Sequence, residues 1–233
     1  MEKFRKLFIT LGIITVVLTA ANLVWDSITI QAILSADTSE SWINSIIEND
    51  SYKRLMTCII NVLYGISVWV ILLIAIWKKT DINQQHAAKK IVGTVGIGLY
   101  GLSRLCFCVL YTAYTFVPDL YIGRYLSIPS IPTYIAEVII AVLLFWMVFA
   151  DKGKMLKILW GILGIVTLLN IMTAIVGSFY IRFLLSSSNY TTIPIVNTIS
   201  HIELSMNSVA TGALIAIICF ATSKKLELDT PSL

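Results

Sequence analysis

The chain has 233 residues, of which 58% are apolar and only 13% are Asp, Glu, Lys or Arg. A soluble domain is nearer one quarter charged, and the mean hydropathy here is +0.86. This excludes a soluble globular enzyme, a disordered chain and a nucleic-acid-binding domain, and implies an all-α, polytopic membrane protein forming one integral membrane domain over 1–233.

A spanning helix needs roughly 20 apolar residues, and six segments of that size follow one another. The first runs from about Leu7 to Ile28. Lys3, Arg5 and Lys6 precede it in the manner of a signal peptide. Its apolar run is long for a signal core and Thr19-Ala20-Ala21 is a poor cleavage site, so a retained helix is expected. The second segment runs from about Leu55 to Trp77 and the third from Ile91 to Val117. The fourth runs from about Ile131 to Ala150, the fifth from about Leu156 to Tyr180 and the sixth from about Leu204 to Thr222.

The connections carry the orientation. Lys3, Arg5, Lys6, Lys78, Lys79, Lys89, Lys90, Lys152, Lys154, Lys157, Lys224 and Lys225 fall on one side. Only Lys53, Arg54, Arg124 and Arg182 fall on the other. Acidic residues show no such bias. Lys/Arg asymmetry sets topology, so both termini are expected in the cytoplasm, with a plasma-membrane location. Lys152-Gly153-Lys154 is nearly a tight turn, making spans four and five antiparallel neighbours. The longer outer connection from Ser35 to Arg54 spaces Trp42, Ile43, Ile46 and Ile47 along one face, as in a short interfacial helix. Pro129 and Pro132, within Ser127 to Thr133, are expected to end the irregular connection before span four. Ser186 to Asn189 reads as a polar loop tip.

Polar groups in hydrocarbon are costly and should face protein or water. Arg104 is the deepest charge, about 20 Å from either end of its span at 1.5 Å per residue. Glu137, in span four, is the best partner for it, about 10 Å nearer the outer side. Asp26 and Glu203 lie near the outer boundary. Steps of three and four residues share a helix face. Gly12, Thr15, Thr19, Asn22, Asp26 and Thr29 make such a stripe in span one, and Gly101, Arg104, Cys108, Tyr111 and Thr115 make one in span three. Thr167, Asn170, Ala174 and Gly177 do so in span five, and Ser205, Ser208, Gly212, Ala216 and Cys219 in span six. Small-residue stripes also serve plain helix packing. The functional reading is an outward-facing cavity lined by Arg104, Glu137, Asp26, Asn22 and Tyr111, where the guanidinium takes an anionic group.

Other chemistry is scarce. His86 sits in a basic loop. His201 and Glu203, two apart on a helix, point away from each other, so no metal is expected. Cys106 and Cys108 are likewise on nearly opposite faces. There is no HExxH, GxSxG or phosphate-binding glycine loop, so no cofactor is expected and the reading leans away from an enzyme. Gly93, Gly96, Gly98 and Gly101 are expected to allow close packing or a kink.

The leading expectation is a membrane protein that binds or transports a small polar or anionic solute. The alternative is a non-catalytic interaction protein (an immunity factor, a sensor or an assembly partner) acting through the outer loops 35–54 and 182–200. Six spans with both termini inside resemble the general plan of the vitamin-binding subunits of energy-coupling transporters, which implies other membrane subunits and an ATPase as partners. That resemblance is of plan alone, since Ala20 is followed four residues on by Val24 where their first helix has a small-x-x-x-small step.

Overall fold

The computed structural model describes the backbone of residues 2–34, 50–116, 130–186 and 193–228. It is all-helical there: α1 (Glu2–Leu34), α2 (Asp50–Ile82), α3 (Ala88–Phe116), α4 (Ser130–Ala150), α5 (Lys154–Ser186) and α6 (Ile193–Leu228). Each contains a stretch long and apolar enough to cross a bilayer, from Ile131–Ala150 at 20 residues to Glu2–Ile28 at 27. Twenty residues rise about 30 Å, the thickness of the hydrocarbon core. The protein is therefore a multi-pass membrane protein. Trp42, Ile43, Ile46 and Ile47 of the expected interfacial helix, and 187–189 of the expected loop tip, lie outside the described residues, whereas Asp50 to Arg54 belong to α2 and Ser186 to α5.

The helices form a ring in chain order. Each packs on the next, α6 closes back on α1, and α2 also reaches α6. The side facing outwards is apolar: Val17 and Val24 on α1, Ile91, Leu102 and Val109 on α3, Phe149 on α4 and Met172 on α5 are exposed. Such a surface suits lipid rather than water. Among the described residues, Phe8, Leu72, Ile76, Leu144, Met147, Trp160, Leu163 and Cys219 are completely buried and form a core in the half near the chain termini.

Several helices outrun the apolar segments. α1 extends from Glu2 to Leu34 and α6 from Ile193 to Leu228. Hydropathy marks only the part of a helix in the bilayer. The flanking residues, such as Lys224, Lys225, Leu226 and Glu227, are good helix formers and continue it. α4 begins at Ser130, before Pro132. Pro132 thus falls in the first turn of the expected fourth span, where a proline forfeits no hydrogen bond. Pro194 sits in the first turn of α6 in the same way.

The α2–α3 turn shows how a helix is stopped without glycine. The N–H of Gln85 donates to Thr80 O at 3.1 Å, and that of Gln84 to Asp81 O at 3.2 Å. Gln84 itself is left-handed, with φ of 51°. These are the paired bonds that satisfy the orphan carbonyls of a helix end. Gln85 then crosses to α4: its Nε2 donates to Ala150 O at 2.7 Å, and its Oε1 accepts from Lys89 Nζ at 2.6 Å. Lys89 also lies over the Trp146 ring, 5.4 Å from its centroid. At the same end, Arg5 on α1 pairs with Glu227 on α6 at 2.9 Å.

Candidate functional site

Three polar groupings stand out, one at the end bearing the termini and two further along the bundle. The first is centred on Asp151, between α4 and α5. The Asp-x-Gly sequence forms a turn in which Asp151 Oδ1 accepts the Gly153 N–H at 3.1 Å. Its Oδ2 takes the Lys79 ammonium of α2 at 2.6 Å and the Trp160 indole N–H of α5 at 3.2 Å. Lys225 of α6 approaches Oδ1 at 3.8 Å. The Asp151 side chain is wholly buried and that of Lys79 is 5% exposed. Burial by itself raises the Asp151 carboxyl, but Lys79, Gly153 and Trp160 more than offset it and hold it below the ordinary carboxylate value.

The second grouping lies between α3 and α4. Glycine brings these helices together on the way to it. A Cβ at Gly93 would stand 3.0 Å from Leu73 and 3.1 Å from Leu143, and one at Gly96 would stand 3.1 Å from Ile139. A Cβ at Gly98 or Gly101 would meet nothing within 4 Å among the described residues, where Gly93 and Gly96 alone of the four serve packing within the bundle. Beyond them, the hydroxyls of Ser103 and Thr133 share a buried hydrogen bond of 2.7 Å. Arg104 follows Ser103, and Glu137 lies one turn beyond Thr133, so both flank this junction.

The Arg104 guanidinium sits 5.1 Å from the centroid of the Tyr100 ring. Tyr100 is itself fixed: it meets Trp69 edge-on at 5.8 Å, and its hydroxyl occupies the space left by the missing side chain of Gly65. Arg104 Nε is sealed from solvent without a hydrogen-bond partner among the described residues. Arg104 and Glu137 are near enough for their charges to act on each other. Among the described residues, no ion pair within 4.0 Å joins them.

The third grouping follows the polar stripe of α1. Thr15, Thr19 and Asn22 are buried, the first completely. Thr15 and Thr19 donate back to the carbonyls four residues earlier, at 2.8 and 2.7 Å. Asn22 Nδ2 donates to Asp26 Oδ2 at 2.9 Å, and the buried Asn22 Oδ1 has no hydrogen bond among the described residues. Tyr64 of α2 reaches across to donate to Ser208 O of α6 at 2.7 Å, with Thr19 Oγ1 at 3.5 Å. Gly212 admits this crossing, since a Cβ there would collide with Thr19 Oγ1 and stand 2.8 Å from the Tyr64 hydroxyl.

The candidate residues thus fall in two places. Arg104 and Glu137 share the α3–α4 junction. Asn22 and Asp26 belong to α1, whose neighbours are α2 and α6 and not α3 or α4. Tyr64 and Tyr100 on facing helices stand between the two places. The side chain of Tyr111 lies outside the described residues, as does that of His201. No group of three metal-ligating side chains occurs among the described residues.

Tyr64, Tyr100 and the Asp151 hub are not evident as site residues in the sequence. For Asp151 a signal existed: a lone acid before a glycine, ending an apolar run inside a basic connection. The chain matches no protein-family model, no curated protein and no solved structure.

Proposed function

We propose that the protein binds or transports a small anionic solute within the plasma membrane, with Arg104 as its anchor and both termini in the cytoplasm. The observation that carries this reading is Arg104 itself. A guanidinium placed mid-span is expensive unless something compensates its charge. Here its face rests on Tyr100, its Nε is buried and unbonded, and Glu137 is near but not ion-paired. A permanent structural pair would close the carboxylate onto the guanidinium at hydrogen-bond distance. An anion of the solute, held in bidentate fashion, would satisfy the same donors. Glu137, at the same junction, then sets the charge balance that the solute meets.

The test uses the full chain in lipid nanodiscs, with small carboxylates and inorganic phosphate as probes. At least one probe should raise the melting temperature of the parent in a saturable way, and Arg104→Lys should keep the fold while losing that response. If both Arg104→Gln and Glu137→Gln lose the fold and the double variant regains it, the pair is structural and the solute reading fails.

A further inference from the structure

We infer that the Asp151 hub is a gate: an ion-pair latch that closes the cytoplasmic end of the bundle and opens by releasing one carboxylate. This rests on the solute-binding reading above and deepens it by saying where the path is shut. Three observations lead to it. First, a single buried carboxylate gathers hydrogen-bond donors from α2, from the α4–α5 turn and from α5, and a more distant ammonium from α6. Freeing that carboxylate therefore unties all of these elements at once. Second, the hub is costly for a mere fastening, because a buried ion pair recovers little of its desolvation and apolar packing would hold the same helices as well. Third, it contains slack. Lys225 stands 3.8 Å away, beyond a hydrogen bond, with its side chain 36% exposed. One turn inward from it, Thr222 is 3% exposed and its hydroxyl is sealed without a hydrogen-bond partner among the described residues.

The latch covers an apolar plug in which Ile76, Met147 and Trp160 are completely buried. The Arg104 junction lies beyond that plug. The structure is thus closed twice on the side of the termini, once by charge and once by apolar packing. Weakening the ionic layer should let the α2, α5 and α6 ends separate and admit water as far as Thr222.

The experiment reads cysteine accessibility, so it needs no solute and can fail while the Arg104 reading stands, or succeed while that reading falls. The four native cysteines are replaced by serine or alanine. Single reporters are then introduced as Thr222→Cys, beneath the latch, and Ser103→Cys, in the distant α3–α4 junction. Both sites are buried, and in nanodiscs a membrane-impermeant maleimide reaches either end. Adding Asp151→Asn should raise the labelling rate at Thr222→Cys by about tenfold, the change expected when one charge-assisted contact is lost. Labelling at Ser103→Cys should not change. Lys225→Gln, a milder change at a half-exposed side chain, should give a smaller rise at the same reporter if Asp151→Asn fails to fold. Unchanged labelling at Thr222→Cys, or an equal rise at both reporters, overturns the gate and leaves the hub a simple fastening.

Discussion

Replacing Gly212 by alanine tests the seam where α1, α2 and α6 meet. The added methyl would collide with Thr19 Oγ1 and press the Tyr64 hydroxyl from 2.8 Å. Neither neighbour moves freely. Thr19 is held by its bond to Thr15 O at 2.7 Å, and Tyr64 by its bond to Ser208 O at 2.7 Å. To admit the methyl, the seam must widen or these bonds must break. Each bond carries about 0.5–1.5 kcal/mol net, and overpacking a tight core costs about 1–3 kcal/mol. Gly212→Ala should therefore destabilise the protein by about 2–3 kcal/mol. Thr19→Ala removes the colliding hydroxyl and its methyl, so in the double variant the two losses should fall short of additive by about 1 kcal/mol or more. Unfolding in mixed micelles, followed by fluorescence of the six tryptophans, measures both. A Gly212→Ala loss under about 0.5 kcal/mol, or strict additivity with Thr19→Ala, would refute the packing argument.

Gln84→Gly should stabilise the chain by about 0.5–1 kcal/mol in the same assay, because a non-glycine residue pays for the left-handed conformation. The glycines of α3 should separate into two kinds: Gly98→Ala neutral to slightly stabilising, since helix propensity gains about 1 kcal/mol and nothing is struck, and Gly96→Ala destabilising. The Asp151 carboxyl lies below its ordinary value when folded, so its contribution is complete above about pH 4 and is lost as pH falls through the lower folded value. Stability measured against pH should therefore drop in acid for the parent, and Asp151→Asn should start lower at neutral pH and fall less below pH 4. A mutant curve parallel to the parent's in that range would contradict the assignment.

Much of the architecture is legible in the sequence because the bilayer imposes a simple requirement. A run of about 20 apolar residues must be one helix, and six such runs are plain. Arg104 is equally plain as a charge set inside an apolar run, since its place along α3 follows from position alone. Helix ends are not, because residues such as Lys224 to Glu227 leave the hydrocarbon while still favouring helix. The Asp151 hub is hidden for a different reason. By sign, Asp151, Lys79 and Lys225 are ordinary charges of the basic connections. Their burial depends on α2, α5 and α6 converging on one turn, which no local pattern encodes. The same limit applies to Asn22 and Asp26. Their stripe is visible in the sequence, but its facing helices, α2 and α6 rather than α3 and α4, depend on the order of the ring.

Whether Arg104 receives an anion decides the function. Isothermal calorimetry on the nanodisc-held parent and on Arg104→Lys, using small carboxylates and inorganic phosphate, is the most direct measurement. Saturable binding of at least one of these anions to the parent, and none to a folded Arg104→Lys, is the expected result. Binding that survives unchanged in Arg104→Lys would contradict it, as would a parent that binds none of them.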